Sequence, residues 1–234
     1  ARLLRELDAR LPDDIWIRIM YFYADAITDE LIEVIASSPR ILNYIDMPVQ
    51  HASDKILKLM GRSENKAMIR ERIVKLRENL PGLILRTTVM VGFPGETDED
   101  FAELLEFIKE VKFDRLGCFI FSPEEGTAAL KLKGKVASQT AADRYNEVMS
   151  LQRDIELEKS KARIGTVTEV ILSGYTEDDI FYQGRSYGEA PEVDPLIWVA
   201  ATVPDLDLSK RHPVRIIDAE HYSLVGVTEY EYSQ

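Results

Sequence analysis

Short apolar, β-branched runs alternate with amphipathic helical stretches over the first 162 residues, and this alternation limits the possible folds more than any other property of the sequence. Residues 83–93, LILRTTVMVGF, form a nearly continuous apolar run, which is typical of a strand covered on both faces. Residues 98–111 follow with apolar side chains at helical spacing. Strands and helices that alternate in this way predict βαβ units, and therefore a parallel sheet or barrel.

The pattern predicts four strands and several helices in this part of the chain. Thr28 and Thr97 each stand where a side-chain oxygen can cap a following helix, and Asp100 makes an imperfect capping box with Thr97. The predicted strands are residues 15–21, 43–50, 83–93 and 114–122. The predicted helices cover residues 28–38, 54–60, 66–80, 98–111 and 137–162, and a further helix lies near the first residue.

The sequence changes style after residue 162. Residues 163–234 contain four or five short strand-like runs, such as TVTEVILSGY and LIWVAATV, separated by Gly, Asp and Pro. This spacing predicts a small closed antiparallel β-barrel of OB-like type. We therefore expect two domains, a partial parallel barrel over residues 1–162 and the small barrel over residues 163–234.

Charge and cysteine content exclude several classes of protein. The net charge is −12, no apolar run approaches the roughly 20 residues that span a bilayer, and no secretory signal is recognisable in the first residues. The single cysteine, Cys118, fits a reducing cytoplasm and excludes a disulfide framework or a metal site held by several cysteines of this chain. We expect a cytoplasmic protein without a membrane partner.

Most of the negative charge lies in residues 164–234, which contain 13 Asp and Glu but only four basic residues. Proteins that bind nucleic acid usually carry a basic surface, because neutralising phosphates supplies much of their affinity. The charge therefore disfavours nucleic acid as the direct substrate. The alternative is a solvated acidic surface that only aids solubility.

The unusual residues lie in the loops that follow the predicted strands, where parallel α/β folds place their sites. Gly92 and Gly95, in the string GFPGET, allow positive φ and close approach of the backbone to a ligand, although an ordinary strand-to-helix turn is the alternative. His51 is either a ligand contact or a loop histidine bonded to nearby backbone. Arg86, within an apolar strand, needs either a structural carboxylate or an anionic ligand group.

Four segments, in order along the chain, resemble the methylthiotransferase branch of the radical-SAM superfamily, and the first and last are similar to its RimO type. They are IDMPVQHASDKILKLMGR, LRTTVMVGFPGETDEDF, FDRLGCFIFSPEEGTAA and YQGRSYGEAPEVD. The resemblance implies a partial radical-SAM (TIM-like) barrel followed by a TRAM domain. It implies a transferase that uses S-adenosyl-L-methionine (SAM) and [4Fe–4S] clusters to install a methylthio group on an aspartate of small-subunit ribosomal protein twelve.

The resemblance also implies where the cofactor binds. Met90 to Phe93 and Phe119 to Ser122 would line the adenosine, and Gln50 and Arg86 would make polar contacts. The full set of candidate cofactor-binding residues is Gln50, His51, Arg86, Thr88, Met90, Gly92, Phe93, Phe121 and Ser122. Neither a catalytic residue nor a metal ligand is assigned within this chain.

The sequence departs from the family at one important point. It contains neither the Cys-x3-Cys-x2-Cys loop that holds the cluster nor the first two of the six barrel strands, so we expect this chain to be inactive by itself. The expected partner is a basic ribosomal protein, bound through the acidic TRAM domain. The alternatives are a tRNA methylthiotransferase of the MiaB type and a non-catalytic fragment that only docks a substrate.

Overall fold

The structure is a computed structural model that describes residues 1–177, 180–203 and 206–230. The chain divides into two compact units, Ala1–Gln152 and Arg153–Gln234. This division falls inside the last helix of the chain. It lies ten residues before the domain boundary predicted from the sequence, which follows residue 162. None of the helices in the described ranges is long and apolar enough to cross a membrane.

The first unit contains a four-stranded parallel sheet in the order β1-β2-β3-β4, which confirms the predicted α/β class. The strands are β1 (Ile17–Ile19), β2 (Ile41–Asp46), β3 (Ile84–Val91) and β4 (Arg115–Ile120). The helices are α1 (Arg2–Arg10), α2 (Asp29–Ser37), α3 (Asp54–Leu59), α4 (Lys66–Asn79), α5 (Asp98–Val111) and α6 (Ser138–Lys161), the last of which runs into the second unit.

Strand β3 is fully buried on one face and only partly covered on the other, so the prediction of two covered faces holds fully for one face only. Leu85, Val89 and Val91 are fully buried, whereas Arg86 and Met90 on the opposite face are partly exposed. Burial therefore alternates with period two, as in a strand that has one packed face. The continuous apolar run misled the prediction because β3 also carries apolar residues on its open face.

All four strands are shorter than predicted, and in β1 and β2 the reason is that the backbone turns early. Strand β1 covers only Ile17–Ile19, and Tyr21 just beyond it has a positive φ of 64°. Strand β2 ends at Asp46 because Pro48 has no N–H to donate to a ladder. Gln50, with φ 66°, then makes one isolated parallel bridge to Val89.

Helices begin where the sequence provides a cap. Thr28 accepts a hydrogen bond from Leu31 N, and Thr97 and Asp100 form a complete capping box at the start of α5. The observed bounds of α5 are the predicted ones. Local side-chain chemistry therefore determines these two helix starts.

The second unit is a closed five-stranded barrel, as predicted, in the order β5-β6-β7-β9-β8. The pair β7 and β9 is parallel, which corrects the expectation of a wholly antiparallel barrel. Val170, Ile197, Val199 and Val214 are fully buried in its core. The strands are β5 (Val167–Tyr175), β6 (Tyr182–Arg185), β7 (Ile197–Ala200), β8 (Arg211–Glu220) and β9 (Ser223–Thr228).

Candidate functional site

The loops after β2, β3 and β4 meet at the carboxyl edge of the parallel sheet, as predicted. Gln50 N donates to Thr88 O at 2.9 Å, and Met90 N donates to Gln50 O at 2.8 Å, so the first loop runs beside β3. Met90 in turn lies opposite Phe119 on β4. Two neighbouring cavities open at this edge.

The larger cavity has a volume of about 490 Å³ and both polar and apolar side chains in its wall. Gln50 and Arg62 supply its amide and guanidinium groups, and three apolar side chains, Met90, Phe93 and Phe121, complete much of the wall. Four of these five residues, all except Arg62, belong to the predicted set. The structure therefore brings much of that set together around one space.

Arg62 is a residue of this cavity that the sequence analysis missed. Its guanidinium lies 4.7 Å from the centre of the Tyr23 ring, and Nη2 donates to Pro48 O at 2.6 Å. Nη1 is 3.2 Å from the carboxylate of the buried Glu64. The glycine before Arg62 is the feature of the sequence that could have indicated this position. Gly61 (φ 76°) turns the chain just beyond α3 and brings Arg62 back toward the loop of Gln50.

The smaller cavity, of about 320 Å³, has a wall that is mainly apolar but also includes Lys135 and Ser138. Its wall includes Gly92, Pro94, Ile120, Phe121 and Ala141. Gly92 has a φ of 76°, and a Cβ there would lie 2.7 Å from Ala141 Cβ. The backbone turn and the close approach to α6 therefore both require glycine at this position.

Phe121 lines both cavities, as does Ala129. Its ring meets that of Phe93 edge to face, with 5.0 Å between the ring centres. Phe93 is buried and Phe121 is partly exposed, so Phe121 is the member of the pair that can face a ligand.

His51 lies behind this site, and its position does not fit direct contact with a ligand. The side chain is fully buried, and Nδ1 accepts a hydrogen bond from Ser53 N at 2.9 Å. Nε2 lies 3.5 Å from the carboxylate of Glu96, which is also fully buried. The alternative of a loop histidine bonded to nearby backbone therefore matches the geometry, because every side of the ring is packed.

Arg86 is paired with a structural carboxylate, the first of the two alternatives given for it. Its Nη1 lies 2.9 Å from Oδ1 of the fully buried Asp46, which is its direct neighbour in the β2–β3 register. Arg86, Thr88 and Ser122 line neither of the two cavities described above. Arg86 and Thr88 lie deeper along β3 than Met90, and Ser122 is exposed beyond β4.

Cys118 is a buried residue of β4, as expected for a small apolar side chain. Burial raises the pKa of its thiol to about 12, and the negative charge of Glu96 adds to the effect. Within the described ranges, no group of three or more His, Cys, Asp or Glu side chains is placed to hold a metal ion.

Comparison with known families matches each unit separately. The sequence pattern of the Radical SAM superfamily matches residues 2–108, and that of the TRAM domain matches residues 164–228. Coproporphyrinogen III oxidase (HemN) from Escherichia coli, a radical SAM enzyme, superposes with a TM-score of 0.54 at 22% identity, covering 66% of this chain and 36% of that protein. The fold and these matches define a radical-SAM domain followed by a TRAM domain.

Bacterial relatives show which branch of the radical-SAM superfamily this chain belongs to. The protein is 44% identical over 230 residues to the ribosomal protein uS12 methylthiotransferase RimO of Caldanaerobacter subterraneus, a match that covers 96% of this chain and 50% of the relative. It is 43% identical over 231 residues to the RimO of Clostridioides difficile, covering 99% and 51%. The chain belongs to the radical-SAM methylthiotransferase family of RimO type, and it spans about half the length of the curated relatives it matches.

Proposed function

We propose that this chain supplies the SAM-binding part of the barrel and the substrate-docking domain of a methylthiotransferase that modifies an aspartate of ribosomal protein uS12. The relatives that carry this activity in their names are aligned over almost the whole chain. The observation that carries the proposal is the pair of cavities that share Phe121 at the carboxyl edge of the sheet, one with Gln50 and Arg62 in its wall and the other with the Gly92 turn.

The two cavities suit the two chemically different ends of SAM. The methionyl end carries a carboxylate and an ammonium group, and the larger cavity offers the Arg62 guanidinium and the Gln50 amide. The adenine ring is flat and largely apolar at its faces, and the smaller cavity offers Phe121, Ile120 and the exposed backbone of the Gly92 turn. When bound beside a reduced iron–sulfur cluster, SAM supplies hydrogen abstraction from an unactivated carbon. The residues of this chain bind and orient it.

The residues of this chain do not fit a [4Fe–4S] cluster. Such clusters are held by several cysteine thiolates, and the only cysteine here is buried with a raised pKa. The activity therefore requires cysteine ligands that lie outside these 234 residues, and we propose that the chain by itself does not turn over.

The second unit is proposed to dock the basic substrate protein. Two of the four basic residues in 164–234 are paired with acids, Lys210 with Asp207 at 3.1 Å and Arg215 with Glu229 at 2.5 Å. By sequence, this segment carries 13 acidic and four basic residues and thus a net charge of −9, with Asp178, Asp179, Asp205 and Glu231 lying outside the described residues. A negative surface complements a basic ribosomal protein and repels phosphates, and this substrate places the reaction in the cytoplasm.

The substrate is tested with an N-terminally extended protein that contains the cysteine loop, reconstituted anaerobically with iron, sulfide and SAM. Ribosomal protein uS12 and bulk tRNA are offered together, and mass spectrometry locates any methylthio group. Modification of the uS12 aspartate supports the proposal. Modification of tRNA would assign the enzyme to the MiaB type, and modification of neither would favour a fragment that only docks a substrate.

The cofactor site is tested on the 234-residue chain by equilibrium dialysis with labelled SAM. The Arg62→Gln variant should bind at least tenfold more weakly, because a charge-assisted hydrogen bond contributes more than about 1.4 kcal/mol. The matched control is Arg70→Gln, an exposed arginine on α4 that pairs with Glu110 and should leave binding unchanged. Equal affinity of both variants would place the SAM carboxylate elsewhere.

A further inference from the structure

Glu96 is a fully buried carboxylate that contacts three segments around the two cavities. Oε2 accepts a hydrogen bond from Gly92 N, at the turn after β3, and lies 3.2 Å from Arg144 Nη1 on α6. Oε1 lies 3.5 Å from His51 Nε2, in the loop after β2. Each of these three segments also contributes a wall residue to at least one cavity: Gln50, Gly92 and Ala141.

The hydrogen bonds of His51 define which of its nitrogens carries the proton. Because Nδ1 accepts from Ser53 N at 2.9 Å, a neutral ring has its proton on Nε2, which points at Glu96 Oε1. Among the residues that the structure describes, neither Nε2 nor Oε1 has a closer hydrogen-bond partner, and both atoms are shielded from solvent. The two groups are therefore each other's available partner, and a small approach of one loop to the other completes the bond.

Arg144 compensates the buried charge of Glu96 and connects it to α6. Its guanidinium is also buried, and Nη2 donates to Asp98 at 2.6 Å at the start of α5. Ala141, one helical turn before Arg144, is the residue against which Gly92 packs. A buried carboxylate is tolerated only when it is paired and hydrogen-bonded, so these contacts hold Glu96 in one position.

We propose that Glu96 is a positioning residue that sets the distance between the Gln50 loop and the Gly92–Phe93 turn, and that His51 transmits this constraint from one loop to the other. Neither side chain touches the cofactor. The predicted effect on SAM affinity rests on the proposed SAM site. The coupling between the two loops is a property of the chain and can be measured without any ligand.

Hydrogen–deuterium exchange of the intact chain tests the coupling. In His51→Ala, peptides that cover residues 91–97 should exchange about tenfold faster, although His51 lies in a different loop. In Glu96→Gln, peptides covering 91–97 and 47–53 should both exchange faster, because the negative charge is lost and the amide nitrogen cannot accept at the position it takes, either from His51 or from Arg144 and Gly92. The matched control is Glu99→Gln, an exposed carboxylate in the first turn of α5.

Peptides from α4 provide the internal reference, because a general loss of stability would speed exchange there as well. If Glu96→Gln does not fold, exchange in His51→Ala decides whether the two loops are coupled, because this variant leaves the Glu96–Arg144 pair intact. The proposal is overturned if a folded variant exchanges at 91–97 like the Glu99→Gln control, or if exchange rises equally over α4.

Equilibrium dialysis of the same variants with labelled SAM measures the consequence. Glu96→Gln should bind about tenfold more weakly than the native chain, and Glu99→Gln should bind equally well. If the native chain binds no SAM, the proposed cofactor site fails while the exchange result still decides the coupling. If exchange rises in the variants but SAM affinity is unchanged, the loops are coupled but do not shape the cofactor site, and the positioning role is refuted.

Discussion

Single polar residues inside the sheet show how the sequence balances buried charge. Arg86 and Asp46 are direct neighbours in the β2–β3 register, and Asp46 also accepts a hydrogen bond from Tyr21 N through its second oxygen, at 3.2 Å. The carboxylate therefore compensates the arginine and holds the chain just after β1. Removal of the Asp46 carboxylate therefore takes a fully buried counter-charge away from Arg86.

Replacement of Asp46 by Ala should lower the free energy of unfolding by about 3 kcal/mol, because the partly exposed Arg86 loses its buried counter-charge and Tyr21 N loses its acceptor. Urea unfolding followed by circular dichroism measures the change. The control is Asp143→Ala, an exposed aspartate on α6, which should have a much smaller effect. Equal effects of the two substitutions would show that the Arg86–Asp46 pair does not stabilise the sheet.

Cys118 should be unreactive in the folded chain. Burial, together with the charge of Glu96, raises the pKa of its thiol to about 12, so the thiolate fraction at pH 8 is on the order of 10⁻⁴. Iodoacetamide at pH 8 should therefore label the native chain far more slowly than the chain unfolded in urea, as measured by mass spectrometry. Rapid labelling without denaturant would mean that β4 opens to solvent.

Among the helices, α5 shows how one side chain can fix the start of an element and join it to another. Asp100 accepts a hydrogen bond from Thr97 N at 2.9 Å in the capping box, and from Ser53 Oγ at 2.7 Å. Lys55 on α3 also pairs with it. Asp100 therefore connects the first turns of α3 and α5, and both helices follow loops of the candidate site.

Asp100→Asn should destabilise the chain by about 1–2 kcal/mol at pH 7, as the loss of a helix cap does. Burial by itself would raise the pKa of the Asp100 carboxyl, but hydrogen bonds from Lys55, Thr97 and Ser53 hold it well below its usual value of 3.8. A lowered pKa stabilises the folded state above about pH 4, and this contribution is lost as the pH falls through the folded value.

The difference in unfolding free energy between the native chain and Asp100→Asn should therefore shrink as the pH falls from 4 toward 2. Urea unfolding at several pH values measures it, with Glu99→Gln as the control for a nearby exposed acid. A difference that stays constant over this range would show that the lowered pKa of Asp100 does not contribute to stability.

At the scale of the whole molecule, the second unit has a closed barrel and a hydrophobic core of its own. Two glycines let the barrel strands pack closely. A Cβ at Gly184 would lie 2.5 Å from Val170 Cγ1, and one at Gly226 would lie 2.4 Å from Val214 Cγ1. Closure also leaves no unpaired barrel edge, so the unit does not need another sheet to complete its hydrogen bonds.

Residues 153–234, expressed alone, should fold as a β-rich domain with cooperative unfolding, because their core is formed within the unit. Circular dichroism and the dispersion of amide resonances measure this. The variant Gly226→Val provides the comparison, since its side chain would overlap Val214 and abolish cooperative unfolding. A disordered native fragment would show that the barrel depends on the first unit.

Local chemistry made much of the fold predictable. The ends of α5 follow from Thr97, Asp100 and the apolar period, and the place of the turn at Gly92 follows from its glycine and the proline after it. The sequence was less informative about strand ends and about which face of β3 is covered. Those depend on neighbours that are distant in sequence, such as the bridge between Gln50 and Val89.

The sequence by itself determined the order of helices and strands, the fold class and the family, because these depend on local spacing and on motifs. Only the tertiary structure decided that Arg86 pairs with Asp46, that Arg62 joins Gln50, and that His51 meets Glu96 behind the cavity rather than a ligand inside it. A buried polar group takes whichever partner the packing brings within about 3 Å, and that choice is not written in the spacing of residues along the chain.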